Sequence, residues 1–218
     1  MPFKDRVDAG RQLAKALARY KDQQPVVLAL PRGGVPVAAE IADALVAPLD
    51  LVLVRKIGVP FQPELAMGAV VDGATPVTVR NEDVIALTGI DDAEFDKVRD
   101  RELAEIERRR TLYLGARPHP PLEDHTVIVV DDGIATGATT RAALRALRQL
   151  KPRRLVLAVP VAPTESLQSL RQEADDVVCL EDYEDFGAIG FFYADFRQVP
   201  DEDAIALLAA HPVKAEPR

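Results

Sequence analysis

Five short apolar runs, at residues 26–30, 49–54, 126–130, 155–161 and 177–180, constrain the fold of this chain more tightly than any other feature. They lack the alternation of polar and apolar positions that marks a strand with one face in water, so each reads as a strand buried on both faces. Such strands need helices above and below them. Leu13, Leu17 and Tyr20 recur at helical spacing within residues 5–20, residues 35–45 are alanine-rich, and Leu144, Leu147 and Leu150 share one side of residues 137–150. A long charged segment, 91–114, keeps Phe95, Val98, Leu103 and Ile106 for its apolar side, and residues 165–173 read as a short helix. The alternation predicts an α/β fold with a doubly wound, mostly parallel sheet flanked by helices, and it places an active site at the carboxyl ends of the strands. No repeat, low-complexity tract or linker interrupts the pattern, so residues 1–218 read as one domain.

Charge narrows the function. The chain carries 27 Lys and Arg against 35 Asp and Glu, a net −8, which argues against a nucleic-acid partner and leaves room for a small phosphorylated ligand held by a few amides and cations. Arg108, Arg109 and Arg110 read as a solvated helix face paired with Glu105 and Glu107. The first turns mix in Lys4, Asp5, Arg6 and Asp8, unlike a signal peptide, and the most hydrophobic stretch is broken by Glu40, Asp43 and Asp50. The expectation is a soluble, cytoplasmic chain with no membrane partner. Cys179, the one cysteine, reads as a small buried strand residue, and His119, His125 and His211 form no ligand spacing. Residues 55–73 lose all periodicity and gather Gly58, Pro60, Pro63, Gly68 and Gly73, which predicts a long loop with at most a short strand at 66–71.

Chemistry concentrates in residues 127–140. A strand delivers Asp131 and Asp132 side by side at its carboxyl end, and a loop of small residues then opens a helix. Ala135, Gly137 and Ala138 let backbone amides approach an anion, Thr136, Thr139 and Thr140 add hydroxyl donors, and the helix dipole favours negative charge at that point. This is a cradle for a phosphate monoester. Carboxylates would repel the same phosphate, so Asp131 and Asp132 are expected to accept hydrogen bonds from nearby hydroxyls or to hold Mg²⁺ indirectly. Ribose 5-phosphate carries both kinds of group. No Lys follows Gly137 as in a P-loop, and no G-x-G-x-x-G occurs.

Strand, acidic pair and threonine-rich loop together resemble the phosphoribosyl diphosphate (PRPP) motif of type I phosphoribosyltransferases, and the likeness extends along nearly the whole chain. The resemblance implies the fold of that family with a small hood, here from residues 1–22 and 181–197. It implies 5′-phosphate contacts at Ala135, Thr136, Gly137, Ala138 and Thr139, ribose- and metal-associated carboxylates at Asp131 and Asp132, and a pyrophosphate loop at Arg32, Gly33 and Gly34. A mobile catalytic loop after the second strand corresponds to the segment from residue 54 onwards, with Arg55 or Lys56 meeting the pyrophosphate and Glu64 placed for proton transfer. The stretch from Pro63 to Gly68 and the late Tyr193, Ala194, Asp195 and Phe196 look like a stand-alone bacterial group whose acceptor is undefined. Two departures stand out. Gly133 replaces a branched apolar residue and is expected to loosen the turn, and Ala135 replaces the acidic residue of the 6-oxopurine enzymes, which points away from hypoxanthine and guanine.

The activity implied is transfer of the 5-phosphoribosyl group from PRPP to a nitrogen nucleophile, a nucleobase or related compound, with Mg²⁺ as cofactor and pyrophosphate as product. Its transition state has oxocarbenium character. Lys56, Glu64, Asp131 and Asp132 are the expected catalytic residues, and a homodimer is the starting expectation for assembly. A non-catalytic PRPP or nucleotide sensor acting through a protein partner competes with this reading, and a phosphorylated receiver-type module is a third. The cluster of Tyr183, Phe186, Phe191, Phe192 and Tyr193 reads as local core before it reads as a base-stacking platform.

Overall fold

A computed structural model describes residues 2–73 and 75–212. The strands are β1 (Pro25–Ala29), β2 (Leu49–Leu51), β3 (Val54–Val59), β4 (Gln62–Val71), β5 (Val77–Arg80), β6 (Thr126–Val130), β7 (Arg154–Pro163) and β8 (Asp176–Tyr183). The helices are α1 (Arg6–Ala16), α2 (Gly34–Leu45), α3 (Glu82–Thr88), α4 (Asp92–Leu114), α5 (Ala138–Gln149), α6 (Thr164–Leu170) and α7 (Asp201–Ala210).

The apolar runs assemble into one sheet in the order β2-β1-β6-β7-β8, and every pairing in it is parallel. Their unbroken hydrophobicity has a simple cause. Val27, Ala29, Ile128 and Val130 face the layer of α1, α2, α4 and α7, while the alternate residues Val26, Leu28, Val127 and Val129 face the layer of α5 and α6. The fold class is therefore the one expected, α/β with helices on both faces. Because β2 lies on one side of β1 and β6 on the other, the order of connection reverses between β1 and β6. In an open α/β sheet the crevice at such a point, outside the carboxyl ends of the strands, is where ligands bind.

Residues 55–73 depart from expectation. Instead of a long loop, β3 and β4 form an antiparallel hairpin that β5 extends into a separate three-stranded sheet. The glycines and prolines that read as loop punctuation shape the hairpin itself. The register of β3 on β4 shifts at Gly58, where a Cβ would stand 3.0 Å from the Cα of Pro63. Pro60 and Phe61 make the turn. A bulge of this kind admits glycine and breaks the period-2 pattern that would have announced a strand. Other strand and helix bounds move less. β2 stops at Leu51 rather than at 54, the first helix ends at Ala16 and continues as a 3-10 segment over Ala18–Gln23, and α7 is an element the periodicity did not show.

The Arg108–Arg110 run also splits. Arg108 and Arg109 both pair with Glu105, as a solvated face would, but Arg110 is buried between Asp50 and Asp72. Helical rotation sends the third arginine inward, where it ties α4 to edge strand β2 and to the end of β4. No described helix is long and apolar enough to cross a membrane.

Candidate active site at the carboxyl ends of β1 and β6

The two motif loops meet because their strands are neighbours in register, Ala29 beside Val130. The amide of Leu30 donates to the carbonyl of Val130 at 2.9 Å, and a Cβ on Gly34 would lie only 2.7 Å from that same oxygen and 3.0 Å from the Cα of Asp131. A side chain at residue 34 would wedge the loops apart. The glycine is thus required by the contact between the loops, with the Pro31–Arg32 peptide cis just before it.

Both loops end in helix N-termini, and like α6 and α7, which start at Pro163 and Pro200, these helices lack side-chain caps. α1, α3 and α4 begin with side-chain caps from Asp5, Asn81 and Asp91. α2 and α5, which start at the crevice, begin at Gly33 and Gly137 with no side-chain cap. The first-turn amides of α5 have no partner among the described residues and carry the positive end of the helix dipole, whereas in α2 the Gly34 and Val35 amides donate to the carbonyls of Leu30 and Arg32 at 3.1 Å and Pro36 has no N–H. Gly137 has φ +72, the left-handed region that favours glycine, and Ala135, Thr136, Ala138 and Thr139 are exposed around it. The carbonyl of Ala135 accepts from Ser166 at 2.9 Å, which fixes the loop from the α6 side. All five cradle residues predicted from sequence are thus gathered at one uncapped helix end.

The acidic pair divides in environment. Asp131 is partly exposed, and one of its oxygens accepts from the Asp132 amide at 2.9 Å. Loss of hydration against the packed strand ends, and then the neighbouring Asp132 charge, hold its carboxyl well above the usual range. Asp132 is buried, and its Oδ2 accepts from Nε of Arg6 at 2.8 Å. The hydroxyl of Tyr193 donates to the Asp132 carbonyl at 2.6 Å, and burial raises the pKa of that hydroxyl. Among the described residues no group of three or more His, Cys, Asp or Glu side chains could by itself enclose a metal ion.

The predicted cations fall out differently. Neighbouring residues on a strand point to opposite faces, so Arg55 and Lys56 cannot both face one cavity. Arg55 turns to α4 and pairs with the buried Glu102 at 2.8 Å. Lys56 pairs with Glu64 across the hairpin at 3.0 Å, and Glu64 is 96% exposed, so this pair is loosely held. Lys56 borders a cavity of about 670 Å³ between the hairpin sheet and α5, whose lining also includes Arg80, Thr136, Thr139 and Arg141. Arg32 is partly exposed, with Nη1 3.3 Å from Asp201 of α7, and Tyr113 donates to the same carboxylate at 2.6 Å.

Sequence reasoning missed Arg6, Tyr193 as a donor to Asp132, and Asp201. Only Arg6 left a signal: it is a cation in the first turn of a helix, where the dipole disfavours positive charge, and so implies a carboxylate nearby. The reading of Gly133 is corrected as well. A Cβ there would meet Ile189 at 2.6 Å, so Ile189 from the late segment already fills the space a branched residue would take, and the turn is packed rather than loosened. Cys179 is half-buried, with its thiol pushed up to about 12 by burial. The late aromatics are mostly local core, Tyr183 and Phe186 each stacking on Phe192, while Phe191 is exposed.

A family described as the phosphoribosyl transferase domain matches residues 3–197, a span that holds both loops, the hairpin and the acidic pair. The chain belongs to the phosphoribosyl transferase domain family. It is 47% identical over 206 residues to "Putative phosphoribosyl transferase Rv0571c" and, equally, to "Putative phosphoribosyl transferase MT0597", from two strains of Mycobacterium tuberculosis. Those matches cover 94% of this chain but 46% of each relative, so the chain spans about half the length of the curated relatives it matches. The crystal structure of TT1426 from Thermus thermophilus matches with a TM-score of 0.86 and 43% identity, over 98% of this chain and all of that one. α7 lies beyond the family match, yet its Asp201 reaches back to Arg32 in the phosphoribosyl transferase domain.

Proposed function

We propose that this phosphoribosyl transferase domain binds PRPP at the crevice between β1 and β6 and transfers its 5-phosphoribosyl group to a nitrogen nucleophile, a nucleobase or related compound, releasing pyrophosphate. The observation that carries the reading is the meeting of the uncapped N-terminus of α5 and the glycine loop at Arg32, Gly33 and Gly34 with a carboxylate, Asp131, at the point where the sheet order reverses. A phosphorylated sugar diphosphate has a phosphate for the α5 helix end, a diphosphate for the glycine loop with its Arg32, and hydroxyls for the carboxylate between them. The 5′-phosphate rests on the amides around Ala138 and Thr139, remote from C1, and its binding energy positions the sugar. The diphosphate lies over Gly33 and Gly34 with Arg32 beside it, and Lys56 reaches it from the hairpin.

The bond from C1 to the diphosphate oxygen breaks as the acceptor nitrogen attacks C1, and positive charge grows on the ribose. Asp131 answers that charge, and Lys56 answers the negative charge on the departing pyrophosphate. In this reading Glu64, the partner of Lys56, takes the proton that the acceptor nitrogen loses. The residues present fit Mg²⁺ as a shared ion: one partly exposed carboxylate, with the remaining oxygens coming from the substrate, is the usual arrangement for that cation. When bound it would supply charge neutralisation on the diphosphate. Hood segments at 1–22 and 181–197, a homodimer and a cytoplasmic location remain parts of the same proposal.

The test is PRPP-dependent pyrophosphate release measured across nucleobases and other nitrogen nucleophiles with Mg²⁺ present. Release that requires one acceptor class supports transfer. PRPP binding with no release for any acceptor would instead favour the sensor reading.

A further inference from the structure

We infer that Asp201 of α7 is a positioning residue for the glycine loop: it holds Arg32 in the absence of ligand, hands it to the diphosphate on binding and takes it back as pyrophosphate leaves. The inference rests on the phosphoribosyl reading and adds to it a residue from beyond the family match. Arg32 Nη1 stands 3.3 Å from Asp201 Oδ1, long for a charge-assisted bond, and the two side chains are 32% and 42% exposed. Among the described residues the guanidinium makes no other hydrogen bond. Arg32 is therefore loosely held, with most of its N–H fork unused.

Asp201 is fixed without help from Arg32. It opens α7, where the dipole favours negative charge, and Tyr113 of α4 donates to the same Oδ1 at 2.6 Å. That bond, foremost, holds the carboxyl below the usual carboxylate range, so it stays an anion near neutral pH. α7 packs on α2 and α4, with Ala204 and Leu208 buried, and α2 is the helix that the glycine loop opens. A fixed carboxylate beside a loosely held cation allows an exchange. A diphosphate over Gly33 and Gly34 brings more negative charge than one carboxylate and draws the guanidinium to itself, while Asp201 keeps its bond to Tyr113 and no buried charge is stranded. Because the pair competes with the ligand for Arg32, it lowers the affinity for pyrophosphate and speeds its release.

Calorimetric titration of inorganic pyrophosphate and of ribose 5-phosphate into wild type, Asp201→Asn, Glu202→Gln, Arg32→Ala and the double variant of Arg32→Ala with Asp201→Asn tests the exchange. Mg²⁺ is present throughout, and salt is held at about 0.15 M so that charges beyond contact are largely screened. Pyrophosphate should bind Asp201→Asn about three- to fivefold more tightly than wild type, the size of one partly exposed ion pair, with ribose 5-phosphate unchanged within about twofold. Glu202→Gln removes a charge from the same turn, at an exposed position with no bond to Arg32 among the described residues, and should leave both ligands within about twofold of wild type. Arg32→Ala should weaken pyrophosphate, and adding Asp201→Asn to it should change nothing further, since the cycle isolates the pair. Unchanged or weaker pyrophosphate binding in Asp201→Asn, an equal gain in Glu202→Gln, or a gain that persists without Arg32 overturns the inference and leaves the phosphoribosyl reading in place. Failure of wild type to bind pyrophosphate overturns it too, and failure to bind ribose 5-phosphate as well sinks the phosphoribosyl reading itself.

Discussion

At the scale of single residues, the cradle makes a claim that damage to the fold cannot imitate. Ala138 is exposed in the first turn of α5, where no side chain caps the helix. Ala138→Asp places a carboxylate where the dipole welcomes it, so thermal stability should hold or rise by about 0.3–1 kcal/mol, while sugar phosphates are repelled from the same amides. A variant that is at least as stable yet binds no ribose 5-phosphate, by melting curve and calorimetry, is the expected outcome. The buried cluster around Arg110 yields a second prediction. Burial, foremost, raises Asp72 to about 6, and burial lowers His119 to about 4. Between pH 4 and 6 folded Asp72 keeps a proton that the unfolded chain gives up, so its contribution to stability falls as pH rises. His119 has the opposite sign, since the unfolded chain holds more protons up to about pH 6.5 and stability rises with pH. The two contributions oppose each other. Asp72→Asn should therefore unmask a rise on the order of 2–3 kcal/mol between pH 4 and 6.5 in urea titrations, and His119→Gln should instead unmask a fall of similar size.

At the scale of elements, the hairpin is where sequence reasoning and structure part. Buried strands announced themselves because both faces are apolar, and the helix N-termini announced themselves through Gly33, Gly34 and Gly137. β3 did not, and β4 did so only over residues 66–71, because their burial is partial and their register shifts at Gly58. Gly58→Val should unpair the hairpin and speed tryptic cleavage after Lys56, a bond that strand pairing protects in the intact protein. Rapid cleavage there in wild type would contradict the hairpin. Among the described residues Lys56 pairs only with the exposed Glu64, which leaves it free to follow charge as the diphosphate departs. Lys56→Ala should lower turnover more than it lowers PRPP affinity, and steady-state kinetics beside calorimetry will separate the two. α7 left no strong trace, since its apolar face is small: Ala204 and Leu208 are its buried residues.

At the scale of the whole molecule, the site exists because non-adjacent parts of the chain converge on it. β1 and β6 are separated by about a hundred residues yet lie side by side in register, and their two loops are legible as chemistry in the sequence alone. The closing contacts were not legible, because Arg6 to Asp132, Tyr193 to Asp132 and Arg32 to Asp201 are single polar pairs at long sequence separation, with no periodicity to betray them. Length sets a further condition, since the curated relatives are about twice as long and this chain matches 46% of each. The measurement that goes most directly to the central claim is calorimetric titration of PRPP, with and without Mg²⁺, into wild type, Asp131→Asn and Ala138→Asp. The account predicts binding by wild type that strengthens with Mg²⁺, falls at least about tenfold in Asp131→Asn and is lost in Ala138→Asp at undiminished thermal stability. PRPP affinity that is the same in all three proteins would contradict it.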